Sequence, residues 1–225
     1  METPKIRSIC VDTLTAFQTN DYMLEQKKPG HDKWRDYGKD IYVFMIHLQQ
    51  LGFEVILILG EPGTGKSSGM RTLTPKTNIW YNSDLKNPVW LGGREEYGKK
   101  TNPIQPFHQL PTSYKQVIEH LQQGFQREMF EQERYAFLTG HVENYKSGNE
   151  TMQRLKTLGS MATNMQIEGK LESVFYSSVS MEDGQPKYIL ETQNNGFNTG
   201  RSPQGLFEGK IENDYGFILQ KLLEY

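Results

Sequence analysis

The feature that most constrains this chain is a glycine-rich octapeptide that directly follows an apolar run. The apolar run is VILIL at residues 55–59, and the octapeptide is GEPGTGKS at residues 60–67. The octapeptide fits the pattern G-x-x-x-x-G-K-[ST], in which a buried strand ends on a glycine and the chain turns into a helix. The spacing predicts that this helix starts near Lys66 and reaches Leu73. The alternative is a glycine-rich strand-to-helix turn that binds nothing.

A loop of this kind can wrap a phosphate group. Its glycines allow successive backbone N–H groups to point inward, and the start of the helix adds a partial positive charge. In this pattern Lys66 reaches the β- and γ-phosphates, and the hydroxyl of Ser67 binds Mg²⁺. The chain is therefore predicted to bind a nucleoside triphosphate and Mg²⁺. The predicted binding residues, which we call the glycine loop, are Gly60, Glu61, Pro62, Gly63, Thr64, Gly65, Lys66, Ser67 and Ser68.

A second predicted strand ends on a carboxylate. It is IRSICVD at residues 6–12, with Asp12 as its last residue. An aspartate at the carboxyl edge of a parallel sheet, beside the glycine loop, can hold Mg²⁺ through its water shell and through Ser67. A turn-forming aspartate is the alternative. Because a triphosphate-binding loop needs a metal-holding acid, we assign the metal to Asp12 and Ser67.

Composition excludes several classes of site. The formal net charge is −2, so any nucleic acid contact needs a local basic patch or a groove made by several subunits. The one cysteine, Cys10, rules out a disulfide framework or a cysteine-based metal site within one chain, and we expect it in the core. No signal peptide is visible, and no apolar run approaches about 18 residues. We therefore expect a cytoplasmic protein without a membrane partner.

The rest of the pattern predicts one α/β domain over residues 1–225. Apolar residues at three- and four-residue spacing predict helices, at 32–50, 112–123, 149–165 and 212–224. Apolar and aromatic runs predict strands, at 77–82, 135–139, 171–180 and 187–192, the last two forming a hairpin. Polar or glycine- and proline-rich stretches predict segments without regular structure, at 20–33, 83–111, 194–209 and the residues before Gly148.

The long irregular segment and the start of the next helix combine cations with aromatic residues. Such a combination holds single-stranded DNA without sequence preference, because every base can stack on an aromatic ring. A mobile polar segment would have a similar composition. The residues of this patch, near 86–115, are Lys86, Trp90, Arg94, Tyr97, Lys99, Lys100 and Phe107.

Four stretches together resemble a known family. They are the glycine loop, the strand at 9–12, TGHVE at 139–143, and TQN at 192–194 with RSP at 201–203. Together they resemble the phage AAA-type nucleotide-binding proteins, RecA-like ATPases of the Sak type that are encoded beside phage recombination and single-strand annealing genes. The resemblance implies a three-layer α/β P-loop fold with a five-stranded, mostly parallel sheet and a C-terminal β-hairpin extension within 171–209.

The same resemblance implies a biochemical function. It implies an ATP-hydrolysing enzyme with ATP and Mg²⁺ as cofactors, acting in DNA recombination or replication. A homo-oligomer is implied, with single-stranded DNA and a single-strand annealing or binding protein as partners, in the bacterial host cytoplasm. Two rival hypotheses stay open. One is a nucleotide-gated binding protein with negligible turnover, and the other is a rearranged chain that folds but has lost its metal geometry.

The order of the motifs departs from that family. There the phosphate-binding loop precedes the Walker B strand, whereas here Asp12 precedes Gly60, as if residues 2–54 and 60–125 had exchanged places. The family's strands run 2-3-4-1-5 in space, and right-handed crossovers in the present order keep the helices on the same faces. All carboxyl ends still meet at one crevice. The predicted sheet order is 77–82, 6–12, 135–139, 55–59, 171–180.

The resemblance also implies roles for four further residues. His141 would sense the γ-phosphate, Glu143 would orient the attacking water, and Asp84 would be the general base. Arg201 would reach the nucleotide of a neighbouring subunit. As alternatives, His141 would be a solvated loop histidine, Glu143 a surface carboxylate, Asp84 a turn aspartate and Arg201 a solvated arginine.

Overall fold

The computed structural model describes residues 4–24, 32–84, 86–97, 113–157 and 167–225, with the backbone alone at 20–24 and 32–38. The strands are β1 Ile6–Asp12, β2 Phe53–Leu59, β3 Asn78–Asn82, β4 Phe130–Gly140, β5 Val142–Ser147, β6 Glu150–Leu155, β7 Ser173–Glu182, β8 Gln185–Glu191 and β9 Lys210–Glu212. The α-helices are α1 Leu14–Leu24, α2 Asp32–Gln50, α3 Gly93–Tyr97, α4 Tyr114–Gln126 and α5 Tyr215–Glu224. Two 3-10 helices span Lys66–Thr72 and Ile167–Lys170.

The main sheet has the order β3-β1-β4-β2-β7-β8-β9. Its first five strands pair in parallel, in the order that the sequence predicted. The register places Leu59 beside Gly140 and Val11 beside Leu138. The carboxyl ends of β1, β2 and β4 therefore lie at one edge of the sheet.

The predicted number of strands was too small, because the described residues form a sheet of seven strands rather than five. The ten-residue strand β7 pairs with β2 through residues 173–176 and with β8 through residues 176–182. The predicted hairpin of β7 and β8 thus continues the sheet, with β9 added beside β8. These antiparallel partners satisfy backbone groups that would otherwise be free along the edge of β7.

An apolar cluster lies on each face of the sheet, because successive strand residues point to opposite faces. Helices α1, α2 and α4 cover one face, with Phe17, Phe44 and Leu121 in the cluster. The Lys66–Thr72 helix and α5 cover the other face, with Met70 and Ile218. The two crossover helices α2 and α4 therefore share a face, as right-handed connections require.

The predicted helix at 149–165 is wrong for its described part. Residues 150–155 form β6, which pairs with β5 in a separate two-stranded antiparallel sheet. Gly148, at φ 63°, supplies the turn between the two strands. Leu155 is buried while Thr151 is exposed. The apolar residues that suggested a helix therefore belong to a strand.

Other predictions hold with changed boundaries. The predicted loop at 20–33 begins later, because α1 continues to Leu24. The excursion at 83–111 contains α3, and its residues 98–111 lie outside the described residues. Ser113 caps α4 as expected, accepting a hydrogen bond from the Gln116 N–H. In the described part of the chain, no helix is long and apolar enough to cross a membrane.

The helix after the glycine loop is 3-10 rather than α. The hydroxyl of Ser68 donates to the Gly65 carbonyl at 2.7 Å, and that of Thr72 donates to the Gly69 carbonyl at 3.1 Å. Hydrogen bonds from a side chain to a carbonyl three residues back compete with the α-helical pattern. With seven residues, this helix has only a small dipole, so a phosphate would meet mainly the loop amides.

Leu57→Ala should lower the free energy of unfolding by about 2–5 kcal/mol, because it leaves a cavity at a buried position of the central strand β2. The matched control is Leu91→Ala, where the leucine is fully exposed. That variant should change stability by less than about 0.5 kcal/mol. Urea denaturation measures both, and equal losses would contradict the burial of Leu57 in the sheet.

Candidate functional site

The candidate site is a cavity of about 350 Å³ at the carboxyl edge of the sheet. Besides Pro62, Gly63, Gly65 and Ser68 of the glycine loop, it brings together five predicted site residues that follow or end four neighbouring strands. These residues are Asp12, Lys66, Ser67, Asp84 and His141. Two larger clefts, of about 550 Å³ between α2 and α4 and about 910 Å³ beside β9 and α5, contain none of them.

Lys66 lies buried in the centre of the glycine loop. Its ammonium donates to the carbonyl oxygens of Gly60 and Glu61, both at 2.9 Å. Burial lowers the pKa of Lys66 to about 8, although the charges of Asp12 and Glu61 oppose that shift. The loop therefore holds a desolvated cation through neutral carbonyls, which phosphate oxygens could replace with stronger, charge-assisted bonds.

The glycine loop is fixed against strand β7. The hydroxyl of Thr64 donates to the Glu61 carbonyl at 2.8 Å and lies 2.6 Å from the hydroxyl of Ser177. A Cβ on Gly60 would lie 2.1 Å from Ser177 Oγ, so no larger residue fits there. Gly65 has φ 84°, a conformation that L side chains rarely adopt.

Asp12 is buried, and Thr139 Oγ1 donates to its Oδ1 at 2.6 Å. Burial raises the pKa of Asp12, whereas the hydroxyls of Thr139 and Ser67 and the charge of Lys66 lower it. The two residues predicted to hold a metal, Asp12 and Ser67, therefore lie near each other in one cavity, although they are far apart in the sequence.

These groups fit Mg²⁺. The ion prefers oxygen ligands and is usually bound by one or two carboxylates together with phosphate oxygens and water. Asp12 and Ser67 supply a carboxylate and a hydroxyl at the place where a phosphate would enter. Among the residues that the structure describes, no three His, Cys, Asp or Glu side chains form a cluster that could hold a metal. A site completed by phosphate oxygens does not need such a cluster.

The end of β3 is tied to the end of β1 by Ser83, which the sequence analysis did not single out. Its hydroxyl accepts from the Thr13 N–H at 2.8 Å, and its own N–H donates to the Asp12 carbonyl at 2.9 Å. Ser83 therefore fixes the position of Asp84, the next residue, at the rim of the cavity. A hydroxyl residue directly after a strand was the only signal in the sequence.

Asp84 and His141 lie on one side of the cavity. Asp84 Oδ2 pairs with the Lys86 ammonium at 2.7 Å, and this hydrogen bond raises the pKa of Lys86. Burial lowers the pKa of His141, the charge of Lys66 lowers it further, and Asp84 opposes both. His141 is thus neutral at neutral pH, able to donate a hydrogen bond from one ring nitrogen.

Two predicted residues, Glu143 and Arg201, do not line the cavity. Glu143 lies in β5, and its carboxylate accepts a hydrogen bond from Arg154 Nε at 2.8 Å. Arg201 is exposed, and its backbone exchanges two hydrogen bonds of 2.9 Å with Val174 of β7. Within one chain, the structure therefore separates both side chains from Lys66 and Asp12.

The C-terminal segment supports the glycine loop, which the sequence analysis missed. Asn213 Nδ2 donates to the Gly65 carbonyl, and Tyr215 Oη donates to the Lys66 carbonyl. A Cβ on Gly69 would lie 2.4 Å from Asn213 Oδ1, so the segment packs closely on the 3-10 helix. These contacts join residues almost 150 positions apart, and no local pattern indicates them.

The described aromatic residues of the basic, aromatic patch, Trp90 and Tyr97, pack against the protein. Tyr97 is buried, donates to the Leu73 carbonyl at 3.1 Å, and lies against Trp80 and Trp90 with ring centroids 5.8 Å and 5.9 Å away. Tyr97 is therefore not available to stack on DNA bases in this conformation. Lys86 pairs with Asp84, and Arg94 is exposed. Lys99, Lys100 and Phe107 lie outside the described residues.

Comparison of the chain with protein-family models, curated proteins and solved structures finds no match. The chemistry of the site is therefore defined by its own groups. They are a buried cation, a hydroxyl and a carboxylate that line one cavity, a loop of backbone amides, and an aspartate and a neutral histidine at the rim. This set is suited to a polyphosphate with a divalent metal ion.

Thr139→Val should lower the free energy of unfolding by about 1–3 kcal/mol, because the buried carboxylate of Asp12 loses a hydrogen-bond donor. Thr139→Ser should keep most of the stability, since it keeps the hydroxyl. The control is Thr151→Val, at an exposed position of β6. Chemical denaturation measures the three variants, and a Thr139→Val variant as stable as the control would rule out this role of Thr139.

Proposed function

We propose that this chain binds ATP with Mg²⁺ and hydrolyses it, as a P-loop nucleoside triphosphatase of RecA-like type. The observation that carries the proposal is that Asp12 and Ser67 lie near each other beside the buried ammonium of Lys66. The three residues come from two motifs in inverted order, yet they line one cavity. Its volume of about 350 Å³ is within the range of ligand pockets, roughly 300–1,000 Å³.

The residues of the loop bind the phosphates. The ammonium of Lys66 leaves the carbonyls of Gly60 and Glu61 and binds β- and γ-phosphate oxygens, while the loop amides surround the chain of phosphates. Asp12 and Ser67 would hold Mg²⁺, which when bound neutralises charge on the phosphate oxygens. Thr139 keeps the Asp12 carboxylate in one orientation through their hydrogen bond of 2.6 Å.

The rim residues serve the reaction. A water molecule attacks the γ-phosphorus in line, Asp84 accepts its proton, and the bond between that phosphorus and the bridging oxygen breaks to release ADP. The pair with Lys86 positions the Asp84 carboxylate. Neutral His141 donates a hydrogen bond to the γ-phosphate, so it reports whether that phosphate is present.

A second candidate is a nucleotide-gated binding protein with negligible turnover. The observation that favours it is that both candidate water-activating carboxylates are already paired, Asp84 with Lys86 and Glu143 with Arg154. A carboxylate oxygen that accepts a hydrogen bond from a cation is not available to accept a proton from water. In this case ATP occupancy alone would switch the interaction with a partner.

The proposal extends to DNA recombination or replication in the bacterial host cytoplasm, with single-stranded DNA and an annealing or binding protein as partners. The resemblance of the glycine loop and of the TGHVE and RSP stretches supports it. A net charge of −2 favours a DNA groove shared by several subunits over one on a single chain. Exposed Arg201 is free to reach the nucleotide of a neighbouring subunit in such a homo-oligomer.

Mg²⁺-dependent ATP hydrolysis should be detectable and should increase when single-stranded DNA is added. Lys66→Ala and Asp12→Ala should each lower turnover at least about 100-fold, because they remove the phosphate cation and the metal-holding carboxylate. Lys115→Ala, which removes an exposed lysine of α4, is the control and should keep full activity. Turnover that survives both site substitutions would refute the proposed site.

Asp84→Asn separates the two candidate functions. If Asp84 is the general base, the ATP affinity of this variant should stay within about threefold of that of the unaltered chain. Its turnover should fall at least about 100-fold. Glu143→Gln should keep its turnover, since Glu143 lies outside the cavity. Binding without turnover in the unaltered chain would instead establish the nucleotide-gated protein.

A further inference from the structure

The glycine loop fixes the direction in which a bound nucleotide extends. In this motif Lys66 binds the β- and γ-phosphates. Asp84 and His141 then lie beside the γ-phosphate end of the cavity. The loop amides cradle the α- and β-phosphates, so the nucleoside extends from the loop in the direction away from Asp84 and His141.

The aromatic ring of Tyr188 belongs to strand β8, which lies on the other side of β2 from β3 and β4, the strands that precede Asp84 and His141. It lines the same cavity and packs on the loop, since a Cβ on Gly65 would lie 2.5 Å from its Cδ1. The backbone of Tyr188 is fixed, because its carbonyl accepts from the Asn213 N–H at 3.1 Å. The side chain nevertheless remains 39% exposed. A rigid backbone thus presents a partly uncovered ring next to the phosphate loop.

An apolar surface continues outward from this ring. Val179 lies directly opposite Tyr188, and Met181 directly opposite Pro186, so all four share one face of the β7–β8 hairpin. Val179 is 41% exposed and Met181 is 67% exposed. We call these four residues the hairpin patch. The other face of the hairpin, with Lys187, lines the separate cleft beside α5.

We propose that the hairpin patch is the nucleobase subsite, in which Tyr188 stacks on the base of the bound nucleoside triphosphate and Val179 packs beside it. This inference rests on the proposed function. A base needs a flat apolar surface, and this patch is contiguous with the cavity that would hold the phosphates. Since every base has a π-face, stacking selects weakly between bases.

The composition of the patch predicts broad base tolerance. Val179, Met181 and Pro186 carry no side-chain nitrogen or oxygen, and strong selection between bases requires hydrogen bonds to base edges. ATP and GTP should therefore bind within about threefold of each other. CTP should bind more weakly, because its smaller ring covers less of Tyr188.

The test compares Mg²⁺ complexes of ATP, GTP, CTP and inorganic tripolyphosphate by titration calorimetry. Tyr188→Ala should weaken ATP binding between about fivefold and about a hundredfold, the loss expected for one stacking contact. The tripolyphosphate affinity of Tyr188→Ala should lie within about twofold of that of the unaltered chain, since tripolyphosphate has no base. Tyr188→Phe should keep ATP affinity. Phe197→Ala, at an exposed aromatic residue that does not line the cavity, is the matched control and should change nothing.

Tyr188→Leu separates the loss of base stacking from the loss of support for the loop, because leucine keeps an apolar contact with Gly65 but has no π-face. It should lose ATP affinity while keeping tripolyphosphate affinity. Equal losses for ATP and tripolyphosphate in both variants would mean that Tyr188 only supports the loop, and would overturn the base subsite. The base subsite would also be overturned if Tyr188→Ala kept its ATP affinity while Lys66→Ala lost ATP binding. That result would leave the proposed ATP site in place. An unaltered chain that binds neither ligand would overturn the ATP site and the subsite together.

Discussion

The polar groups that converge on the buried carboxylate of Asp12 are the interaction on which the candidate site depends. A buried carboxylate is costly unless hydrogen bonds or opposite charges compensate for the lost water. Here Thr139 from β4, Ser67 from the glycine loop and the charge of Lys66 provide that compensation. Because these groups follow or end three neighbouring strands, the carboxylate can be buried only if all three strands end at one level. The register of β1, β4 and β2 meets this condition.

The inverted order of the motifs does not prevent this convergence. In a parallel sheet the ends of neighbouring strands meet whatever their order along the chain, provided that the crossovers can be made. Helix α2 connects β1 to β2 and α4 connects β3 to β4, each passing over one strand on the same face. Position within the sheet, rather than position in the sequence, therefore decides which residues share the cavity.

Much of the fold could be predicted because its signals are local. The apolar runs before Gly60 and Asp12 have the length and composition of buried strands, and the predicted sheet order is the one observed. The β5–β6 hairpin could not be predicted, since the spacing of Met152 and Leu155 also suits a helix. What decides between the two is the pairing with β5, which is a tertiary contact.

The site shows the same division between local and distant contacts. Lys66, Ser67 and Asp12 belong to short motifs, and the fold brings them together. Asn213 and Tyr215 give no local signal, because their role depends on contacts almost 150 positions away. Tyr97 had the composition expected of a DNA-binding patch, yet packing against Trp80 buries it. Composition alone does not reveal which face of a segment the core will cover.

The proposed site requires that Asp12 and Ser67 hold one metal ion at the glycine loop. Anomalous diffraction from crystals grown with Mn²⁺ and a non-hydrolysable ATP analogue tests this requirement. We expect one anomalous peak between the phosphates and these two side chains, bound to Ser67 directly and to Asp12 directly or through one water molecule. A nucleotide bound with its metal away from Asp12, or in the cleft between α2 and α4, would show that these residues do not form the metal site.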